Sequence, residues 1–286
     1  MKAPNFDYVR VGSVQQAIDE LVARGDSAQI LAGGQSLMAM LNLRLSAPSC
    51  LIDIAGVPGL REIEQVGKTV RIGAMVTHAQ LQQSALVADQ VPLLAQTVPH
   101  VAHLAIRNSG TIGGSLALAD PAAEYPAVAL ALKAVITLQG PKGQRQVAAD
   151  DYFRGLYDTA RAEDELLVAV TFPKVKNNQV MVFDELTRRR GDYALCGLAA
   201  AFDLQGGKIS SARLAYLSMG DTPVLARAAA EALGGKAPTE DTIAAAQAAL
   251  AQDLAPRGDL HGSAKGKLHW AKVLLARSIR QVGKNV

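Results

Sequence analysis

Ala28-Gln29-Ile30-Leu31-Ala32-Gly33-Gly34-Gln35-Ser36-Leu37 is an apolar run of strand length that ends on two glycines and a hydroxyl residue. A second stretch, Arg107-Asn108-Ser109-Gly110-Thr111-Ile112-Gly113-Gly114-Ser115, repeats the theme farther on. Glycine reaches φ > 0, so successive backbone N–H groups can converge into a concave anion nest, with Ser or Thr hydroxyls as extra donors. One such loop suits a phosphate, and two suit a pyrophosphate held from opposite sides. Each pair taken alone also fits an ordinary tight turn. The chain has no G-x-x-x-x-G-K-[ST] and no G-x-G-x-x-G, which disfavours a P-loop hydrolase and the usual dinucleotide fold.

Working outward, 286 residues with 49% hydrophobic and 19% charged content describe a globular protein with room for two domains. The net charge of +3 and the scattered basic residues argue against nucleic-acid binding. Arg188-Arg189-Arg190 is read as a solvated or partner-facing patch. Cys50 and Cys196 are the only cysteines, too few for a four-cysteine iron–sulfur cluster or a structural zinc, so iron would have to come from another chain. No targeting segment or membrane span is evident, and a cytoplasmic location is expected.

Ser13 and Gln16 form a capping-box pattern before a helix that Gly25 stops. A strand through Leu31, a helical turn over Leu37–Leu41 with Met38 and Met40 as core filling, and a strand over Leu51–Ile54 follow. They suggest a small α/β unit. Gly67-Lys68 separates two hairpin strands, and Thr77 with Gln80 opens another helix. A helix is expected from Pro92 to about Ala105, with His100 and His103 on one face. Lacking a third ligand nearby, they are read as hydrogen-bonded side chains and not as a metal site. His78, His261 and His269 are expected at the surface or at helix caps. A helix over Pro126–Leu132 and strands over Val135–Leu138 and Glu165–Phe172 come next, and the polar stretch 173–178 marks a domain boundary. Beyond it, strands over Val180–Leu186, Ala194–Leu204 and Ile209–Leu217 precede alanine-rich helices over Val224–Leu233, Thr239–Gln252 and Ser263–Arg280.

Ala32-Gly33-Gly34-Gln35-Ser36, Ile106-Arg107-Asn108, Gly110-Thr111-Ile112-Gly113-Gly114-Ser115, Ala119-Asp120-Pro121 with Glu124, and Arg190-Gly191-Asp192-Tyr193-Ala194 together resemble the FAD-binding medium subunit of the molybdenum hydroxylases. That family includes carbon monoxide and xanthine dehydrogenases. The resemblance implies an α+β fold. A two-subdomain FAD-binding domain of the vanillyl-alcohol-oxidase/PCMH type would span 1–175, with subdomains of about 1–57 and 58–175. A C-terminal domain over 176–286 would carry an antiparallel sheet and helices. By the same resemblance, Ala32, Gly33, Gly34, Gln35, Ser36, Leu37, Thr111, Ile112, Gly113, Gly114 and Ser115 cradle FAD. Glu124, where the family more often has Asp, binds a sugar or ribityl hydroxyl; its other reading is an exposed loop carboxylate. Tyr193 lies near the isoalloxazine, or is a core tyrosine at a strand start, and Asp192 shapes its turn.

No catalytic acid, base or nucleophile is identified, and none is required, since a flavin carries the electrons itself. The implied role is electron relay from 2Fe-2S clusters of a small partner subunit to an external acceptor. Substrate would be hydroxylated at the molybdenum cofactor of a large partner, and the resemblance implies a dimer of heterotrimers. The alternatives are a free-standing FAD oxidoreductase and a flavin-free scaffold subunit.

Overall fold

The computed structural model describes residues 2–284. Its first sheet contains β1 (Asp7–Arg10), β2 (Ala28–Leu31) and β3 (Cys50–Asp53), all parallel, in the order β1-β3-β2. The helix Val14–Arg24 crosses over between β1 and β2 and buries Ala17, Ile18 and Leu21. Ser13 caps it by accepting from Gln16 N. Gln16 returns to Gly12 N and not to Ser13 N, so the box is displaced by one residue. At Thr77 both capping bonds form.

The second sheet is antiparallel. It holds β4 (Ile63–Val66), β5 (Thr69–Gly73), β6 (Val135–Gly140) and β7 (Gly143–Ala148), and after the small hairpin of β8 (Phe153–Gly155) and β9 (Asp158–Thr159) it receives β10 (Leu166–Pro173) at its centre. The C-terminal sheet is the meander β11 (Gln179–Leu186), β12 (Cys196–Gln205), β13 (Lys208–Leu217), with the short β14 (Val224–Leu225) at its edge. Successive strand residues point to opposite faces. Thus the cross-strand set Phe183, Ala199 and Ala215 packs into the core of the N-terminal part of the chain, while Val182, Ala200 and Leu214 face the helices Arg227–Leu233, Glu240–Asp253 and Ala264–Gly283. Burial on both faces explains why these strands read as continuous apolar runs. Arg213 ties the joint by donating to Leu130 O and pairing with Asp150 at 2.6 Å.

Three expectations need correction. The helix expected from Pro92 to Ala105 is broken into Pro92–Thr97, a 3-10 turn Val98–His100 and Leu104–Arg107. Pro99 removes a backbone donor, and Ala102 turns left-handed at φ +46°. His100 and His103 therefore do not share a helix face. The helix expected from Val224 begins at Arg227, because Val224 and Leu225 pair with β13. β1 and β7 carried too little apolar content to be expected. No described helix is long and apolar enough to cross a membrane.

Candidate functional site

The two glycine stretches meet. A Cβ on Gly33 would stand 2.2 Å from Ser109 O and 2.8 Å from the Gly110 Cα, so the two backbones touch there and form one continuous surface. Their internal chemistry differs. In the first loop only Gly34 takes positive φ, at +69°. The N–H groups of Gly33, Gly34, Gln35 and Ser36 have no protein acceptor among the described residues, and neither does the Ser36 hydroxyl. The loop is partly exposed, and Leu37 anchors it by packing with Leu41 and Leu51. Met38 and Met40 pack against the same cluster, as expected.

The second stretch is not a φ > 0 nest. Thr111 caps the helix Ile112–Leu118, and Gly113 and Gly114 lie inside it. Their amides are used within the protein: Ile112 N donates to Val76 O, Gly113 N to Ala74 O and Gly114 N to Thr111 Oγ1. Gly113 is needed for close approach, since a Cβ there would stand 2.5 Å from the Ala74 Cβ. Among the described residues, the Thr111 N–H and the Ser115 hydroxyl remain without an acceptor. The cradle is thus asymmetric, with most of its free donors on the Gly33–Ser36 side.

His78 supports this floor and is a correction to the surface or cap expectation, whereas His261 and His269 are exposed. His78 is 5% exposed, its Nδ1 is 3.0 Å from Tyr125 Oη, and a Cβ on Gly110 would lie 2.7 Å from its Nε2. Burial, followed by the Arg107 charge, lowers its pKa to about 4, so the imidazole is neutral. Arg107 donates to Val101 O and Ala102 O, fixing the left-handed break. His78 was legible only as the first residue after a cap.

Glu124 is the first residue of the helix Glu124–Ala131 and is 8% exposed, which removes the exposed-loop reading. Burial raises its pKa to about 7. The preceding loop is set by Asp120, which accepts from Ala122 N. Ser218 joins this loop to the Tyr193 segment, donating from its N to Pro121 O and from its Oγ to Ala194 O. Tyr193 is 65% exposed and not a core residue. Asp192 accepts from Tyr193 N and Arg188, so it does shape the turn, and Gly191 at φ +80° seats that turn against Ala102 and His103. Arg188, Arg189 and Arg190 are exposed. No group of three or more potential metal ligands occurs among the described residues.

Comparison with known proteins gives this geometry its family. Residues 4–175 match the FAD binding domain in molybdopterin dehydrogenase, and residues 181–282 match the CO dehydrogenase flavoprotein C-terminal domain. The chain belongs to the molybdenum hydroxylase flavoproteins. This flavoprotein is 40% identical over 280 residues to the 6-hydroxypseudooxynicotine dehydrogenase complex subunit alpha of Paenarthrobacter nicotinovorans, covering 98% of this chain and 95% of that one. It is 36% identical to the carbon monoxide dehydrogenase medium chain of Hydrogenophaga pseudoflava, covering 98% and 97%. Among solved structures, quinoline 2-oxidoreductase from Pseudomonas putida 86 superposes with a TM-score of 0.95 at 40% identity, covering 100% of this chain and 99% of that one. The flavoprotein is an oxidoreductase subunit with an FAD-binding domain and a C-terminal antiparallel-sheet domain.

Proposed function

We propose that this chain is the electron-relay subunit of a molybdenum hydroxylase: it binds FAD, takes electrons from 2Fe-2S clusters of a small partner and passes them to an external acceptor. The observation that carries the reading is the row of unpartnered N–H groups from Gly33 to Ser36, lying against the Ser109–Gly110 backbone. A pyrophosphate is the kind of group that satisfies such donors. Charge-assisted bonds contribute about 1.5–3 kcal/mol each, so four or five support micromolar or tighter binding. Leu37, Ile112 and Gly113 shape the cradle from behind, Ala32 leads the chain into it, and Thr111, Gly114 and Ser115 close it. Glu124, held largely neutral below pH 7, donates a proton in a hydrogen bond to a ribityl or ribose oxygen. Tyr193 provides an aromatic wall, and Asp192 fixes its turn. Bound FAD supplies an electron carrier; the chain binds it, orients it and limits its exposure to water. A flavin-free scaffold has no evident need for this row of bare amides.

The remaining expectations belong to the same reading. The FAD-binding domain covers 1–175, with subdomains of about 1–57 and 58–175, and the C-terminal domain covers 176–286. The partners are a large molybdenum-cofactor subunit and a small 2Fe-2S subunit in a cytoplasmic dimer of heterotrimers. Removing FAD from the purified complex tests the relay. Acceptor reduction should stop while the iron–sulfur absorption still bleaches with substrate. Undiminished acceptor reduction by the flavin-free complex would contradict it.

A further inference from the structure

The turn Val98–His100, the start of the helix Glu124–Ala131 and the end of β11 bring three titratable side chains together. His100 Nδ1 is 3.1 Å from Glu185 Oε1. The Glu185 side chain is only 4% exposed, and its Oε2 is buried with no hydrogen-bond partner among the described residues. Glu124 interacts electrostatically with both. A cavity of about 300 Å³ borders the group, lined by Pro99, His100, Glu185, Thr187, Arg190 and Gly191. The other charges nearby are Asp184 on β11, which is paired with Arg277, and Asp120 in the loop before the helix. Arg190 stands at the cavity wall, His103 lies under Gly191, and Arg107 is occupied with backbone carbonyls.

Glu124, buried and facing the Glu185 carboxylate, resists ionising, because a charge without a partner is costly to bury. The hydrogen bond to Glu185 raises the His100 pKa above its ordinary value, and burial brings Glu124 to about 7. The group therefore holds an exchangeable proton near neutral pH. Gly191 lines the cavity and leads into Asp192 and Tyr193, and Glu124 lies within electrostatic range of Tyr193.

We propose that Glu124, His100 and Glu185 form one proton-sharing cluster that takes up a proton from water when the adjoining cofactor site gains electrons. This rests on the FAD-relay reading. The two electrons that the iron–sulfur partner would deliver carry two negative charges, which would be balanced by one proton bound at the cofactor and one proton taken from solvent by the cluster. That proton enters by the cavity that His100 lines and forms an O–H bond on Glu124. When the electrons leave to the acceptor, the O–H bond breaks and the proton returns to water. Glu185 and His100 are positioning residues in this scheme, acting through the charge around the cofactor.

The test is to reduce the purified complex stepwise without oxygen in weak buffer near pH 7, counting protons with a pH indicator while flavin absorbance follows reduction. Glu185→Gln and His100→Asn should each lower uptake by up to about one proton per flavin, with Glu185→Asp restoring it in part. A purely structural role would leave that stoichiometry unmoved. If Glu185→Gln loses its flavin, His100→Asn carries the same comparison. Wild-type uptake in flavin-loaded variants overturns the proposal alone, whereas a complex without flavin overturns the relay reading with it.

Discussion

Gly33→Ala is the substitution whose effect the structure sets most sharply. The new Cβ would lie 2.2 Å from Ser109 O, 2.8 Å from the Gly110 Cα and 2.9 Å from the Ser109 carbonyl carbon, all backbone atoms. Normal contact with a backbone oxygen needs about 3.2 Å, so the loops must separate by roughly 1 Å. A shift of that size breaks or lengthens hydrogen bonds from the Gly33–Ser36 amides. Losing two charge-assisted bonds costs about 3–6 kcal/mol, or roughly 10²- to 10⁴-fold in FAD affinity. Gly34→Ala meets only side-chain atoms at 3.3 and 3.4 Å but must keep φ +69°, a strain of about 1–2 kcal/mol. Its loss should be about tenfold. Titrating FAD into deflavinated protein and following flavin fluorescence gives both numbers. Gly33→Ala binding within threefold of wild type would refute the cradle geometry.

The pH dependence of stability carries two opposing contributions. Glu124, raised to about 7, contributes stability that is full below its unfolded pKa of 4.5 and lost as pH rises through about 7. His78, lowered to about 4, contributes stability that is full above 6.5 and lost as pH falls through about 4. Between about pH 4.5 and 6.5 the two slopes cancel, so Glu124→Gln should leave stability rising with pH across that window in urea titrations of the flavin-free chain; a flat profile refutes the assignment. Arg213→Ala removes the donors to Leu130 O and the pair with Asp150, and should lower unfolding free energy by about 1–3 kcal/mol in the same assay. Tyr193→Ala should leave the melting temperature of the flavin-free chain unchanged, since the ring is 65% exposed, while altering the bound flavin's absorption. A large loss of stability would mean that the ring packs in the core.

Much of the architecture was legible because its signals are local. Thr77 and Gln80, the Gly67 turn and the two-faced apolar runs of the C-terminal sheet each follow from a side chain's own geometry. The failures have tertiary causes. The break at Ala102 depends on Arg107 binding carbonyls five and six residues back, which periodicity does not register. β1, mostly exposed, is recruited by β3 more than forty residues away. At the site, the glycine stretches were legible as a pair, but not their division of labour. One loop leaves its amides bare; the other consumes them in a helix start against Ala74 and Val76. Glu124 and His78 were visible as residue types, whereas their burial is produced by neighbours from distant segments.

The central claim is that this chain is the FAD-bearing member of a complex. The most direct measurement is to affinity-purify it from its native cell and determine FAD, iron and molybdenum per copy, together with the co-purifying chains. The account expects one FAD per chain, two partner subunits, and iron and molybdenum in the complex. Partners and metals recovered without FAD would contradict it.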